Sequence, residues 1–227
     1  MADGFDDIYV DTRRQLRGVA ESLIAGPQYR ASGTIRLAVR PDGFTGVSIP
    51  IAVHCTDLVS PNGSVALDGP VSAIAAGLDS GPPDGVYELV DPLSADSVLN
   101  LDAAAAEWIH RSHYAGGHAI KNVLPDQHPV LWPEHFDVAA TDDEVNYGVS
   151  AGDDDHPTPY AYVGPWTQRS PFWNAPFGAL YPLDPAHDVD ALTSHISDFF
   201  EHGRKGTKSW TLTWTSPACG HCSSTAR

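Results

Sequence analysis

The sequence predicts an α+β fold. Its antiparallel sheet contains a three-strand meander over about residues 132–166, with N-terminal and C-terminal helices packed on it. Three observations lead there. Apolar residues recur at helical spacing near both ends of the chain. Period-two alternation, the mark of a half-buried strand, runs through 34–40 and again through the 132–166 region. Turn chemistry separates the alternating runs, with Pro41-Asp42-Gly43, Asn62-Gly63 and Asp142-Asp143 at the junctions.

Residues 6–25 read as an amphipathic helix. Ile8, Leu16, Val19, Ala20, Leu23 and Ile24 form one stripe, while Arg13, Arg14 and Arg17 fall off it. Gly26-Pro27 is its expected stop. In 34–40, Ile35, Leu37 and Val39 share one face of a strand. A second strand is expected over 47–55, with Cys55 as a small buried hydrophobe. Asn62-Gly63 has the chemistry of a hairpin that returns through 64–67. A short helix over 71–78 is closed by Asp79-Ser80-Gly81-Pro82-Pro83, and 84–100 is loop-rich. Asp102 suits the N-cap of a helix over 103–114, which Gly116-Gly117 is expected to interrupt. The last helix spans 189–202, with Leu192, Ile196, Phe199 and Phe200 apolar and Gly203 as its C-cap.

At 227 residues the chain suits one domain, placed at 1–204. The stretch 205–227 changes composition: nine Ser or Thr, no acid, and two of the three Lys and two of the three Cys. It reads as an appended, poorly ordered tail. The formal charge of −16 opposes binding to nucleic acid or an anionic membrane, because phosphate contacts need Lys or Arg. The acidic start and the lack of a long apolar run predict a cytoplasmic protein without a membrane span. Three cysteines argue against a disulfide scaffold. Abundant Ala, Gly, Pro, Asp and Arg with few Lys suggest coding by a GC-rich genome.

Polar and aromatic residues concentrate in Leu131-Trp-Pro-Glu-His-Phe-Asp-Val-Ala, Val145-Asn-Tyr-Gly-Val-Ser-Ala-Gly-Asp, the run from His156 to Trp166, and Pro171-Phe-Trp-Asn-Ala. With these segments the chain resembles a family of proteins from high-GC Gram-positive bacteria that share WPEHFD, NYGxSxGD, PYxYVGPW and FWNA. The resemblance spans about residues 10–204 and is most specific over 131–175. It implies a shared fold and no activity, and the tail departs from it.

Alternation gives a reading independent of the resemblance. If Phe136 and Val138 face the core, His135 and Asp137 share the opposite face. Asn146, Tyr160 and Tyr162 then lie beside them, with 153–156 over the edge. The candidate ligand-binding residues are therefore His135, Asp137, Asn146, Tyr160, Tyr162, Trp166 and Trp173, the indoles serving as walls. This face suits a binding or structural domain that holds a small molecule, or a plain solvated surface. The alternative is a hydrolase working near His135, either metal-assisted or Ser-dependent. For the former, Glu134, His135, Asp137 and His156 are candidate ligands to a divalent metal. For the latter, Gly148-Val-Ser150-Ala-Gly152 matches a nucleophile elbow, but two prolines and three acids follow where the elbow needs a helix. Cys219-Gly-His-Cys222 has a redox spacing, yet stands next to the C-terminus without the required strand–helix setting. The oligomeric state is not encoded in any of these patterns.

Overall fold

The structure, a computed structural model, describes residues 3–166 and 173–205. The first helix, α1 (Asp3–Val19), passes into a π-helical turn at Ala20–Ala25 and continues as α2 (Gly26–Ser32). The expected stop at Gly26-Pro27 is therefore absent. Pro27 lies in the first turn of α2, where a missing N–H costs least. Gly26 fits because a Cβ there would come within 1.9 Å of the Gly81 carbonyl oxygen. The helix ends at Gly33, whose φ of 74° lets its N–H reach Tyr29 O.

Five short strands follow: β1 (Leu37–Arg40), β2 (Gly43–Gly46), β3 (Ala52–His54), β4 (Asp57–Ser60) and β5 (Gly63–Ala66). A small ribbon pairs β6 (Asp68–Pro70) with β7 (Val98–Asn100), and α3 (Val71–Ile74) lies between them in sequence. Then come α4 (Ala103–Val123), β8 (Val130–Trp132), β9 (Asp137–Asp142), β10 (Val145–Ser150), β11 (Tyr160–Pro165), β12 (Ala179–Pro182) and α5 (Val189–Arg204). Asp102 and Asp188 cap α4 and α5 by accepting the amides of Ala105 and Ala191.

The fold is α+β, but the sheet is larger than a meander with helices on it. Ten strands run in the order β12-β11-β10-β9-β8-β1-β2-β3-β4-β5, and every pair is antiparallel. One seam, β1 against β8 at Leu37 and Leu131, joins two series of sequential hairpins. The expected meander is β9–β11 and starts at Asp137 rather than Trp132. The residues between β8 and β9 form a turn in which Phe136 takes a φ of 49°.

Gly116-Gly117 does not break α4. A Cβ on Gly116 would lie 2.6 Å from the Val149 side chain, so the glycine lets helix and sheet approach. Gly203 likewise sits inside α5 against Val163, and the C-cap is Lys205. A single apolar core joins Leu16 and Leu23, Ile109 and Ile120 of α4, Val138, Tyr147, Val149 and Val163 of the sheet, and Ile196 and Phe200 of α5. Cys55 is exposed at the β3–β4 tip, not buried as expected. Among the described residues no helix is long and apolar enough to cross a membrane.

Candidate functional site

Three cross-strand rows define the sheet face opposite the core. Asp137, Ser150 and Tyr160 form the first, Ala139, Gly148 and Tyr162 the second, and Thr141, Asn146 and Gly164 the third. Residues one step along each strand, such as Val138, Val149 and Ala161, point into the core. Gly148 decides what the open face can do. A Cβ there would sit 2.6 Å from the Tyr162 hydroxyl, so without one the Tyr162 ring lies across β10. Its hydroxyl thereby reaches β9 and donates to Asp137 Oδ2.

Asp137 is 5% exposed, and its Oδ1 has no hydrogen-bond partner. Burial pushes its carboxyl above the ordinary range, while the Tyr162 hydrogen bond and His135 pull the other way. Burial also holds the Tyr162 hydroxyl protonated, and the adjacent Asp137 reinforces this. Nearby, Tyr160 donates to Asp153 Oδ2 at 2.5 Å. Ser150 Oγ accepts the Gly152 N–H at 3.0 Å. Asn146 Oδ1 accepts from Thr141 at 2.7 Å and from the Trp166 indole at 3.4 Å.

These groups line a cleft of about 520 Å³, walled by Trp166 and Phe177 and reached by Arg17. The Phe177 ring stacks at 6.4 Å on Tyr160 and stands edge-on to Tyr162. A second cleft of about 490 Å³ adjoins it and shares His135, Asp137, Asn146 and Tyr162. There Arg36 lies 5.6 Å from the Trp132 ring centre.

Helix α1 fixes the end of the cleft. Tyr9, Arg13 and Arg17 are spaced four apart and share one helical face. Tyr9 donates to Ala151 O at 2.6 Å. Arg13 donates to Asp153 O at 3.0 Å and Pro157 O at 3.2 Å, and Arg17 donates to Glu134 O. Both the loop after β10 and the turn before β9 are thus tied to one rigid element. Behind Arg17, in the π-helical turn, Glu21 is 0% exposed, and the Asp91 backbone N–H is a donor close to its otherwise poorly satisfied carboxylate. Burial raises its pKa to about 7, against the opposing pull of Arg17. The buried Tyr87 hydroxyl and Glu134 Oε2 nearby lack partners.

Of the sequence candidates, His135, Asp137, Asn146, Tyr160, Tyr162 and Trp166 all line the cleft. His135 does so from the turn before β9, not from a shared strand as alternation implied, and is itself exposed. Trp173 is half-buried against the core and does not line the cleft. Glu134, His135, Asp137 and His156 do not come together as a metal-ligand trio, since no three of their donor atoms lie within 4.8 Å of one another. Asp137 is turned to Tyr162, and His156 sits 3.8 Å from Asp153. Ser150 ends a strand that leads into another strand through a loop, so the elbow geometry is not formed. Cys219 and Cys222 lie outside the described residues.

Sequence reasoning set the 153–156 loop, and so Asp153, over the edge of this face, but missed Arg17 and Phe177. Only the four-residue spacing of Tyr9, Arg13 and Arg17 signalled the first, and nothing local signalled Phe177. No known protein family, curated protein or solved structure matches the chain.

Proposed function

We propose that the chain binds a small polar molecule, rich in hydroxyl or amino donors, in the cleft on the open face of β9–β11. The observation that carries this reading is Asp137. Its carboxyl is withdrawn from water at the base of a cleft, one oxygen is held by Tyr162, and the other has no donor. A buried acceptor left without a partner costs about 1–3 kcal/mol, and more when charged, and a ligand O–H or N–H that displaced the groups covering it would recover it.

The surroundings fit such a ligand. Asp153 adds carboxylate acceptors, and Tyr160, Trp166 and Phe177 offer ring faces for the apolar side of a sugar-like or amino-bearing molecule. The volume lies within the range of small-molecule sites. Among the described residues no imidazole is hydrogen-bonded to Ser150, whose Oγ accepts the Gly152 N–H, so the histidine base of a covalent Ser150 mechanism is not in place.

Isothermal titration with hexoses, amino sugars and linear polyols tests the proposal. Binding by at least one class is expected, weakened about tenfold or more in Asp137→Leu, the equivalent of about 1.4 kcal/mol. No heat from any class at millimolar concentration, or equal affinity in Asp137→Leu, would remove the proposal.

A further inference from the structure

In the other half of the sheet, the β1–β2 and β3–β4 turns bring Asp42, His54 and Cys55 side by side. One donor atom from each lies within 4.8 Å of the other two. His54 Nε2 and Asp42 Oδ2 are 2.7 Å apart. The tip is held rigidly. Cys55 N–H donates to Asp42 O at 2.7 Å, and buried His110 on α4 sits with Nε2 2.9 Å from Cys55 O.

Those two bonds fix Cys55 at a φ of 53°, the left-handed region that favours glycine. It occupies the first position of the two-residue link between β3 and β4, where a positive φ ordinarily selects glycine. The chain instead carries an exposed thiol there. The left-handed backbone leaves the Cys55 side chain in solvent, where the thiol is open to a ligand.

We propose that Asp42, His54 and Cys55 form a binding site for a zinc-class divalent cation. A thiolate, an imidazole nitrogen and a carboxylate oxygen make up a mixed soft and hard donor set that suits Zn²⁺ rather than Mg²⁺ or Ca²⁺. Neighbouring ligands of a tetrahedral zinc stand about 3.5 Å apart, given bonds of roughly 2.0–2.3 Å. Small side-chain rotations bring this trio to that spacing, because the backbone is already fixed. All three side chains face solvent, so the fourth position is left to water or another small ligand. His110, which supports the Cys55 carbonyl from α4, is a positioning residue.

The Cys219-Gly-His-Cys222 segment would compete for the same metal. The test therefore uses the full chain carrying Cys219→Ser and Cys222→Ser, kept under a phosphine reductant, so that Cys55 is the remaining thiol. Titration with Co²⁺ should give a thiolate-to-metal charge-transfer band in the near ultraviolet that saturates at one equivalent and is displaced by Zn²⁺. Cys55→Gly accommodates the φ without strain, so the hairpin stays folded while the band disappears. His54→Ala and Asp42→Ala should each weaken Co²⁺ binding by about tenfold or more. Absence of the band in the Cys219→Ser, Cys222→Ser chain overturns the site. So does a band that keeps its strength in both His54→Ala and Asp42→Ala, which would reduce it to an isolated thiol.

Discussion

The two faces of the β9–β11 meander are made from alternate residues of the same three strands, yet they meet different neighbours. On one face Val138, Val149 and Val163 press against α4 and α5, so closely that Gly116 and Gly203 are needed at the contacts. On the other, Gly148 serves the opposite end: it leaves space that a tyrosine crosses to hold a carboxyl at the base of a cleft. Glycine closes one side and opens the other. Two buried carboxyls, one in the helical layer and one on the open face, carry the same contrast. Glu21 is sealed within the helical layer, whereas Asp137 borders the cleft.

The largest effect should come from crowding the closed face. Gly116→Leu places a side chain where even a Cβ comes within 2.6 Å of Val149. Chemical denaturation should show a loss of about 3 kcal/mol or more. A loss below about 1 kcal/mol would mean that the two layers are not locked by this contact.

Sealing Glu21 should make stability depend on pH in a definite direction. Its pKa is about 7 when folded, above the ordinary 4.5. The folded state then holds the proton more tightly than the unfolded chain, so this contribution is most favourable below pH 4.5 and is lost as pH rises through 7. Glu21→Gln should therefore be more stable than the parent above pH 7, by about 3 kcal/mol, and lose the advantage towards pH 4. Urea denaturation across that range is the measurement. Equal stability at every pH would mean that Glu21 is solvated.

Asp137 has the same sign but another remedy. Its raised pKa also makes the parent lose stability as pH climbs out of the ordinary carboxylate range. Asp137→Asn should remove that slope, and a bound donor ligand should offset it in the parent. The thermal midpoint measured against pH, with and without a ligand found by titration, would separate this case from Glu21, which no ligand reaches.

A smaller cost is expected from Gly148→Ala. The colliding atoms belong to the far end of the Tyr162 side chain, which can swing away. Stability should change by about 1 kcal/mol or less, while cleft binding falls as Tyr162 releases Asp137. A large stability loss with intact binding would reverse the roles given to the two faces. Ser150→Ala should have the smallest effect, within about 0.5 kcal/mol and without loss of binding.

Local rules made part of this molecule legible. Period-two alternation placed Asp137, Asn146, Tyr160 and Tyr162 on one face, because side-chain direction in a strand follows from backbone geometry alone. His135 lines the same cleft, but from a turn in which the positive φ at Phe136, not strand alternation, sets its direction. The ten-strand sheet was hidden because its seam, Leu37 against Leu131, joins residues far apart in sequence. Glycine misled three times, the first at the expected stop Gly26-Pro27, which the helix passes through. Gly116-Gly117 and Gly203 read as helix breaks, but a glycine kept for close packing and one kept for a turn look alike until the neighbour is known. In the sequence Arg13 and Arg17 only fall off the apolar stripe, because their acceptors are main-chain carbonyls that no sequence pattern advertises.

The π-helical turn at Ala20–Ala25 sets a rotational phase between the two parts of the first helix. A π turn holds about one residue more than an α turn, and each residue advances an α-helix by about 100°. Deleting one residue from 20–25 would restore a regular helix and turn everything before it by that angle relative to the core. Tyr9, Arg13 and Arg17 would then swing together away from Ala151, Asp153, Pro157 and Glu134. The extra residue works like a key on a shaft: it sets the whole of α1 at the angle at which Tyr9, Arg13 and Arg17 meet the mouth of the cleft and Leu16 and Val19 meet the core.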